Sequence, residues 1–272
     1  MSRSRFVATT GGFMLRALAL AVFASTFAAT VALAQSPVPA AKLADSVRRA
    51  IEVGVENADL AAVDAAGALA ERALAIHPQD GMLQHYRAYA LYRGSTLAMG
   101  RDGKAAARPY LDKARDILEP LVKSKTIPES YGLLSSVYGL QIATARVGMI
   151  AGMTLGSKST EWMDRAVAAG PNNPRVWVMR GISAFNTPST FGGGMDKAES
   201  HLKRAITLFD GDAPAAPLPA WGKADAHIWL GQVYLKTKRR DEARAEFQKA
   251  LALQPRNAWV TNVLMPALDK TR

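Results

Sequence analysis

Residues 224–257 read ADAHIWLGQVYLKTKRRDEARAEFQKALALQPRN, and this stretch decides the fold of the chain. Its pattern is that of a 34-residue helix-turn-helix repeat, with a leucine-glycine pair and a tyrosine in the first helix, alanines around a phenylalanine in the second, and a closing proline. The matching positions are Leu230, Gly231, Tyr234, Ala243, Phe247, Ala250 and Pro255. Because Gly231 has no side chain, the second helix can approach closely there while Phe247 fills the remaining volume. The stretch therefore predicts two tightly packed helices.

This pattern resembles the tetratricopeptide repeat (TPR), and only its first aromatic position differs, where His227 stands. Weaker copies of the same period precede it. Trp177 and Gly181 take the aromatic and glycine positions of the copy before it, and Tyr131 takes the aromatic position of the copy before that. The resemblance covers about residues 42–269. It implies an all-α, right-handed TPR-like α-solenoid of about five helix pairs plus a C-terminal capping helix.

Several stretches depart from the plain repeat. The pattern predicts a flexible lead at 35–41 and a repeat domain at 42–270, with enlarged turns at 148–158, 186–194 and 213–223. In the first of these turns Gly148, Gly152 and Gly156 recur every four residues, which is typical of a close helix contact or, in lipid, of a dimerisation face. Arg146 interrupts this stretch, so packing within a soluble domain is the favoured interpretation. The motifs MTLGSKS, PNNPR and NTPSTFGGG also resemble exported bacterial repeat proteins.

The N-terminus has the features of a secretory signal. Arg3, Arg5 and Arg16 precede an apolar run at 17–34 that contains no charged residue, and Ala32-Leu33-Ala34 supplies a small-x-small cleavage site. We therefore predict a cleaved signal peptide at 1–34 and a periplasmic or secreted location. The alternative is an uncleaved inner-membrane anchor, because 18 apolar residues can just span a bilayer.

Composition narrows the classes of site. The chain has no cysteine, which excludes disulfides and thiolate metal sites. Its net charge is +11, and removal of three signal-peptide arginines gives 11 − 3 = +8. Nucleic acid is not expected as the partner of an exported chain, and the basic charge is compatible with a membrane contact that the sequence does not itself predict. The four histidines show no metal-ligand or nucleophile-base spacing, and LGSKS at 155–159 lacks the leading glycine of a phosphate loop. We therefore predict no enzyme activity, no cofactor and no metal site.

The TPR resemblance implies that one stripe of each first helix lines a concave groove. Carried over at helical spacing, with the adjoining loop, the stripe gives these candidate binding residues: His85, Tyr89, Tyr92, Arg175, Val178, Ile182, Phe185, Asn186, Phe191 and Gln232. Such a groove is largely apolar, and it lacks the lysine and asparagine set that clamps a partner's C-terminal carboxylate. It suits a hydrophobic peptide, an amphipathic helix or a small apolar ligand. Phe191, followed by three glycines, is a candidate flap over the groove. The opposing interpretation is that the insertions cover these residues, which are then simply core.

The sequence as a whole predicts a periplasmic TPR module that binds or scaffolds proteins. Two alternatives remain open. One is a ligand-handling accessory subunit of a periplasmic solute transporter, which an apolar groove with glycine-rich flaps would suit. The other is a membrane-tethered assembly factor that retains its N-terminus.

Overall fold

The computed structural model describes residues 38–124 and 126–270, so the predicted signal peptide and residues 35–37 of the predicted lead lie outside the described residues. Ala40 and Ala41, which the sequence assigned to the flexible lead, belong to the first helix. Within these ranges the chain forms α-helices and no strand. The helices are α1 (Ala40–Glu56), α2 (Leu60–Ile76), α3 (Gly81–Asp102), α4 (Lys104–Leu121), α5 (Pro128–Thr144), α6 (Gly148–Ala169), α7 (Pro174–Asn186), α8 (Met195–Phe209), α9 (Lys223–Lys236), α10 (Arg240–Leu253) and α11 (Met265–Lys270). A short 3-10 helix (Ser189–Phe191) follows α7, and a π-helical turn (Val260–Leu264) precedes α11.

The helices pack as five consecutive pairs. Each odd-numbered helix from α1 to α9 packs against the helix that follows it, and each pair then contacts the next. The π-helical turn and α11 pack on α10 and cover the end of the array with the buried side chains of Val260, Leu264 and Leu268. The predicted all-α TPR-like solenoid of about five pairs with a C-terminal cap is confirmed.

Glycines set the distance between the two helices of a pair. A Cβ atom added at Gly231 of α9 would lie 2.4 Å from Cε1 of Phe247 in α10. The same arrangement recurs one pair earlier, where a Cβ at Gly181 of α7 would lie 2.6 Å from Cγ of Leu202 in α8. Because real Cβ atoms do not approach other atoms so closely, only glycine permits this packing.

Residues 148–158 correct the sequence-based assignment. They form the first turns of α6, whereas the repeat pattern predicted an enlarged turn, and α5 connects to α6 through only three residues. A Cβ added at Gly152 or Gly156 would meet no atom within 4 Å, so these glycines mediate no close helix contact in the described part of the chain. Nor does any helix in the described ranges combine the length and apolar character needed to cross a bilayer.

Candidate functional site

The first helices of distant pairs face one another across a narrow concave side. Arg93 of α3 and Asp225 of α9 form an ion pair of 3.3 Å between Nη1 and Oδ1, although they are far apart in the sequence. Near the ends of the array the backbone N–H of Arg256 donates to Oε1 of Glu56 at 3.3 Å. The superhelix therefore curves enough to bring its first and last pairs together, which leaves little open space between the first helices.

The segment between α8 and α9, residues 210–222, lies inside this concave side, and we call it the strap. The indole of Trp221 stacks on the ring of Tyr89 in α3, with centroids 5.2 Å apart and planes at 15°. The hydroxyl of Tyr86, one position along from the predicted stripe, donates to the carbonyl of Pro217 at 2.5 Å. Trp221 also packs against the core formed by Met163 and neighbouring side chains. The strap thus contacts the second and third pairs across the concave side.

Arg175 at the start of α7 fastens the other end of the strap. Its Nη1 and Nη2 donate to Oδ2 and Oδ1 of Asp212 at 2.6 and 2.8 Å. Its Nε donates to Oε1 of Glu129 in α5 at 2.9 Å, and Asn173 donates to the same oxygen at 2.8 Å. The side chains of Arg175 and Glu129 are only 4% and 5% exposed. Two buried charges of opposite sign, each with several hydrogen bonds, can therefore persist without water.

The strap explains where the predicted groove residues lie. His85, Tyr89, Arg175 and Val178 are buried, and Tyr92 and Ile182 are half-buried. The ring of His85 lies parallel to that of Tyr89, and its Nδ1 hydrogen-bonds with Oγ of Ser130 at 3.0 Å. The expectation of an open apolar groove is therefore wrong at these residues, because the chain's own strap occupies the space.

The remaining predicted site residues do not join this cluster. Phe185 packs edge-on against Trp229 of α9 at 5.3 Å, toward the C-terminal end of the array. Asn186 is exposed, and its amide donates to the carbonyl of Ile182 at 2.8 Å. Phe191 is 81% exposed, so it does not cover the concave side as a flap. The turn that carries it folds back on α7 instead, where the N–H of Gly194 donates to the carbonyl of Ala184.

Three buried polar atoms near the concave side have no hydrogen-bond partner in the described part of the chain. They are Nε2 of His85, Nε1 of Trp221 and Nε2 of Gln232. Burial lowers the pKa of His85 to about 4, so its ring is neutral at pH 7. Such unpaired buried atoms are uncommon and usually have a functional or solvent-related cause.

Sequence reasoning missed the strap residues that matter most, namely Asp212, Pro217 and Trp221. The available signal was an indole at the end of a proline-rich insertion, since a large aromatic side chain seldom stays in water. In the described ranges no group of three or more histidine, aspartate or glutamate side chains is arranged to hold a metal ion.

A second surface lies at the start of α6. Val147, Met149, Ile150 and Met153 are 55%, 80%, 61% and 79% exposed, and we call these four residues the apolar edge. Val147 directly precedes α6, and Met149, Ile150 and Met153 lie on its first turns, where the sequence predicted an enlarged turn. Exposure of four large apolar side chains within seven positions is unusual for a monomeric protein, in which exposed apolar residues are normally scattered singly.

Comparison with known proteins supports the architecture. Residues 224–257 match the family model described as tetratricopeptide repeat, and no curated protein matches the chain. A thermophilic TPR protein from Thermus thermophilus is 24% identical, with a TM-score of 0.57 over 82% of this chain and 98% of that one. The HusA haemophore from Porphyromonas gingivalis is 21% identical, with a TM-score of 0.58 over 75% of this chain and 97% of that one.

These similarities establish the fold. Residues 224–257 match one tetratricopeptide repeat, and the chain as described has the TPR solenoid architecture that this pattern predicted.

Proposed function

We propose that this chain is a periplasmic scaffolding module that binds extended protein segments on its concave side. The strap occupies the concave side until a partner segment replaces it. One observation carries this proposal: the strap is itself an irregular polypeptide segment bound along the first helices, with its indole on Tyr89 and its carboxylate on Arg175. The concave side therefore has the shape and the polar groups to hold a peptide.

The strap is anchored at few points, which makes its replacement feasible. Asp212, Pro217 and Trp221 make the contacts described above, and Pro219 is buried. Ala215, Leu218 and Ala220 between them are exposed. An intramolecular segment competes at an effective concentration in the millimolar range, as expected for a short tether. A partner must therefore present comparable anchors and additional contacts outside the strap's footprint.

Binding of the strap in trans tests this proposal. Residues 211–221 are replaced by a glycine-serine linker of the same length, and a labelled peptide with the sequence of residues 209–222 is titrated by fluorescence anisotropy. We expect a Kd of about 10–100 µM for the linker variant, because a few anchors must offset the association cost. The intact chain should bind at least about tenfold more weakly, since its own strap competes.

Two controls separate recognition from simple unfolding. A peptide with Trp221→Ala should lose most of the binding, and circular dichroism should show the linker variant to be helical. A folded linker variant that binds neither peptide would contradict the proposal and identify the concave side as ordinary core. If the linker variant does not fold, the single variant Asp212→Asn takes its place, with the expectation that it binds the peptide more tightly than the intact chain does.

Export belongs to the same proposal. The charge pattern and cleavage site of the N-terminus support it, although these residues lie outside the described part of the chain. Intact-mass analysis of protein recovered from the periplasm should show the loss of residues 1–34. A full-length mass in the membrane fraction would favour the tethered assembly factor instead.

A small-molecule carrier, such as an accessory subunit of a solute transporter, is the second candidate. The unpaired buried atoms of His85, Trp221 and Gln232 favour it, because a bound polar molecule would satisfy them. Native mass spectrometry of gently purified protein distinguishes the candidates. An organic adduct that is lost on denaturation supports the carrier, and a second polypeptide supports the scaffold.

A further inference from the structure

The apolar edge at the start of α6 is independent of the strap and of the concave side. Because α6 has 22 residues and its partner α5 has 17, α6 is longer by five residues, or about 7.5 Å at 1.5 Å per residue. The exposed side chains of Met149, Ile150 and Met153 lie on these first turns. A Cβ added at Gly152 or Gly156 would meet nothing within 4 Å, so this side of the helix packs on no other helix in the described part of the chain. Ala151 and Leu155, on the other side, line a cavity with Arg108 and Asp112 of α4.

Polar groups on this part of α6 are already satisfied within the helix. The hydroxyl of Thr154 donates to the carbonyl of Ile150 at 3.1 Å, and that of Thr160 donates to the carbonyl of Gly156 at 3.1 Å. Transfer of these turns into an apolar medium therefore leaves neither hydroxyl without a partner. This property suits an interfacial lipid environment.

The charges that the segment itself carries are positive, and the cavity beside it is lined by two arginines, Arg108 and Arg115, and one aspartate, Asp112. No acidic residue occurs between Glu129 and Glu161, whereas Arg146 and Lys158 flank the exposed apolar side chains. Arg146 is exposed and forms no ion pair within the described ranges, and the first turn of α6 has no side-chain cap. The free cation and the partial positive charge of the helix start both favour an anionic headgroup.

From this geometry we propose that the apolar edge inserts into the interface of a bilayer that contains anionic lipids. Met149, Ile150 and Met153 enter the boundary between headgroups and acyl chains, and Arg146 pairs with a lipid phosphate. A protruding helix start with flexible apolar side chains and flanking cations has the chemistry of a reversible interfacial anchor. The contact would hold the solenoid at a membrane surface without using the residues that bind the strap.

Vesicle co-sedimentation tests this proposal. The exported chain is purified as cells produce it, and its binding is measured on phosphatidylcholine vesicles with and without 30% phosphatidylglycerol. The test variant carries Met149→Ser, Ile150→Ser and Met153→Ser. The control variant carries Ile76→Ser, Leu253→Ser and Val263→Ser, which replace exposed apolar residues on α2, at the end of α10 and in the π-helical turn. All proteins share the same N-terminus, so its contribution cancels.

We expect the test variant to bind anionic vesicles at least about tenfold more weakly than the wild type, while the control variant binds as the wild type does. Arg146→Gln should weaken binding about fivefold on anionic vesicles and leave binding to phosphatidylcholine unchanged. The wild-type affinity should fall as salt is raised.

Two outcomes would overturn the proposal. One is equal vesicle binding by the wild type and the test variant. The other is a dimer in sedimentation velocity that the test variant loses, since the occupant of the apolar edge would then be a second copy of the chain. Both variants change only exposed residues, and matching urea midpoints will verify that the differences do not arise from unfolding.

Discussion

The strap and the start of α6 both depart from the plain repeat, but Trp221 of the strap packs inside the protein, whereas the apolar side chains at the start of α6 are exposed. The strap connects the second helix of one pair to the first helix of the next, so its end leads directly to the concave side, and Trp221 packs there on Tyr89. The start of α6 lies at a turn within a pair and extends past α5, so Met149 and Met153 remain exposed. The difference shows that the site of an insertion in a solenoid, more than its composition, determines whether its side chains are buried.

The largest expected effect comes from Arg175, which joins the strap to the third pair. Arg175→Met leaves the buried carboxylate of Glu129 without its cation, and this should lower the free energy of unfolding by about 3–5 kcal/mol. Arg146→Met beside the apolar edge should change it by less than about 0.5 kcal/mol. Urea unfolding monitored by circular dichroism measures the free energy of unfolding of both variants. Equal effects would mean that the concave side is as hydrated as the surface.

Two aromatic residues in irregular segments provide the next contrast. Trp221→Ala removes the stacked indole from the concave side and should lower the free energy of unfolding by about 3 kcal/mol. Phe191→Ala removes an exposed ring and should lower the free energy of unfolding by less than about 0.5 kcal/mol. The two melting temperatures measure this difference. A large fall in melting temperature for Phe191→Ala would show that this ring packs on the protein, as the predicted flap requires.

The pH dependence of stability tests whether the concave side is dry. Burial holds the pKa of His85 at about 4 in the folded chain, below its ordinary value of about 6.5. Between these values the unfolded chain binds a proton that the folded chain does not, so stability is full above pH 6.5 and falls toward pH 4. From pH 7 to pH 5 this histidine should account for a loss of about 2 kcal/mol.

The variant His85→Gln supplies the matched control for that titration. Its urea midpoint should fall less than that of the wild type between pH 7 and pH 5. Identical pH slopes would indicate that His85 titrates normally and that water reaches the concave side.

The smallest effects come from one substitution made in two places. Gly231→Ala forces a Cβ to within 2.4 Å of Phe247 and should destabilise the chain by about 1–3 kcal/mol. Gly152→Ala meets open space on α6 and should stabilise it by up to about 1 kcal/mol, because alanine favours a helix more than glycine does. Thermal unfolding measures both shifts. Destabilisation by Gly152→Ala would reveal a contact on the apolar edge that the structure does not contain.

Much of the fold was predictable from particular residues. Gly231 and Phe247 occupy neighbouring helices as their spacing indicated, and the five pairs and the cap follow the same period. The first turns of α6 were not predictable from that period. Their residues have no counterpart in the repeat, so the repeat pattern assigns them no structure. Helix formation there is local, and glycines at 148, 152 and 156 weaken its signal without preventing it.

The candidate site was predictable only in part. The helical stripe placed Tyr89 and Arg175 on the concave side, but their partners Trp221 and Asp212 came from an insertion that the stripe does not describe. Tyr86, whose hydroxyl donates to the strap, lies one position after the residue that the stripe selected on that turn of α3. Helical spacing therefore identified the correct turn, and only the packing of the strap showed which side chain on it makes the contact.

The sequence by itself determined the local order of this protein. Its 34-residue pattern specified helix pairs, close glycine contacts and a closing cap, because those interactions join residues near one another along the chain. Only the tertiary structure decided that the concave side is filled and that the apolar edge is exposed. Ion pairs such as Arg93–Asp225 depend on the summed rotation of several pairs, and small angles between neighbours that no single repeat specifies set that sum.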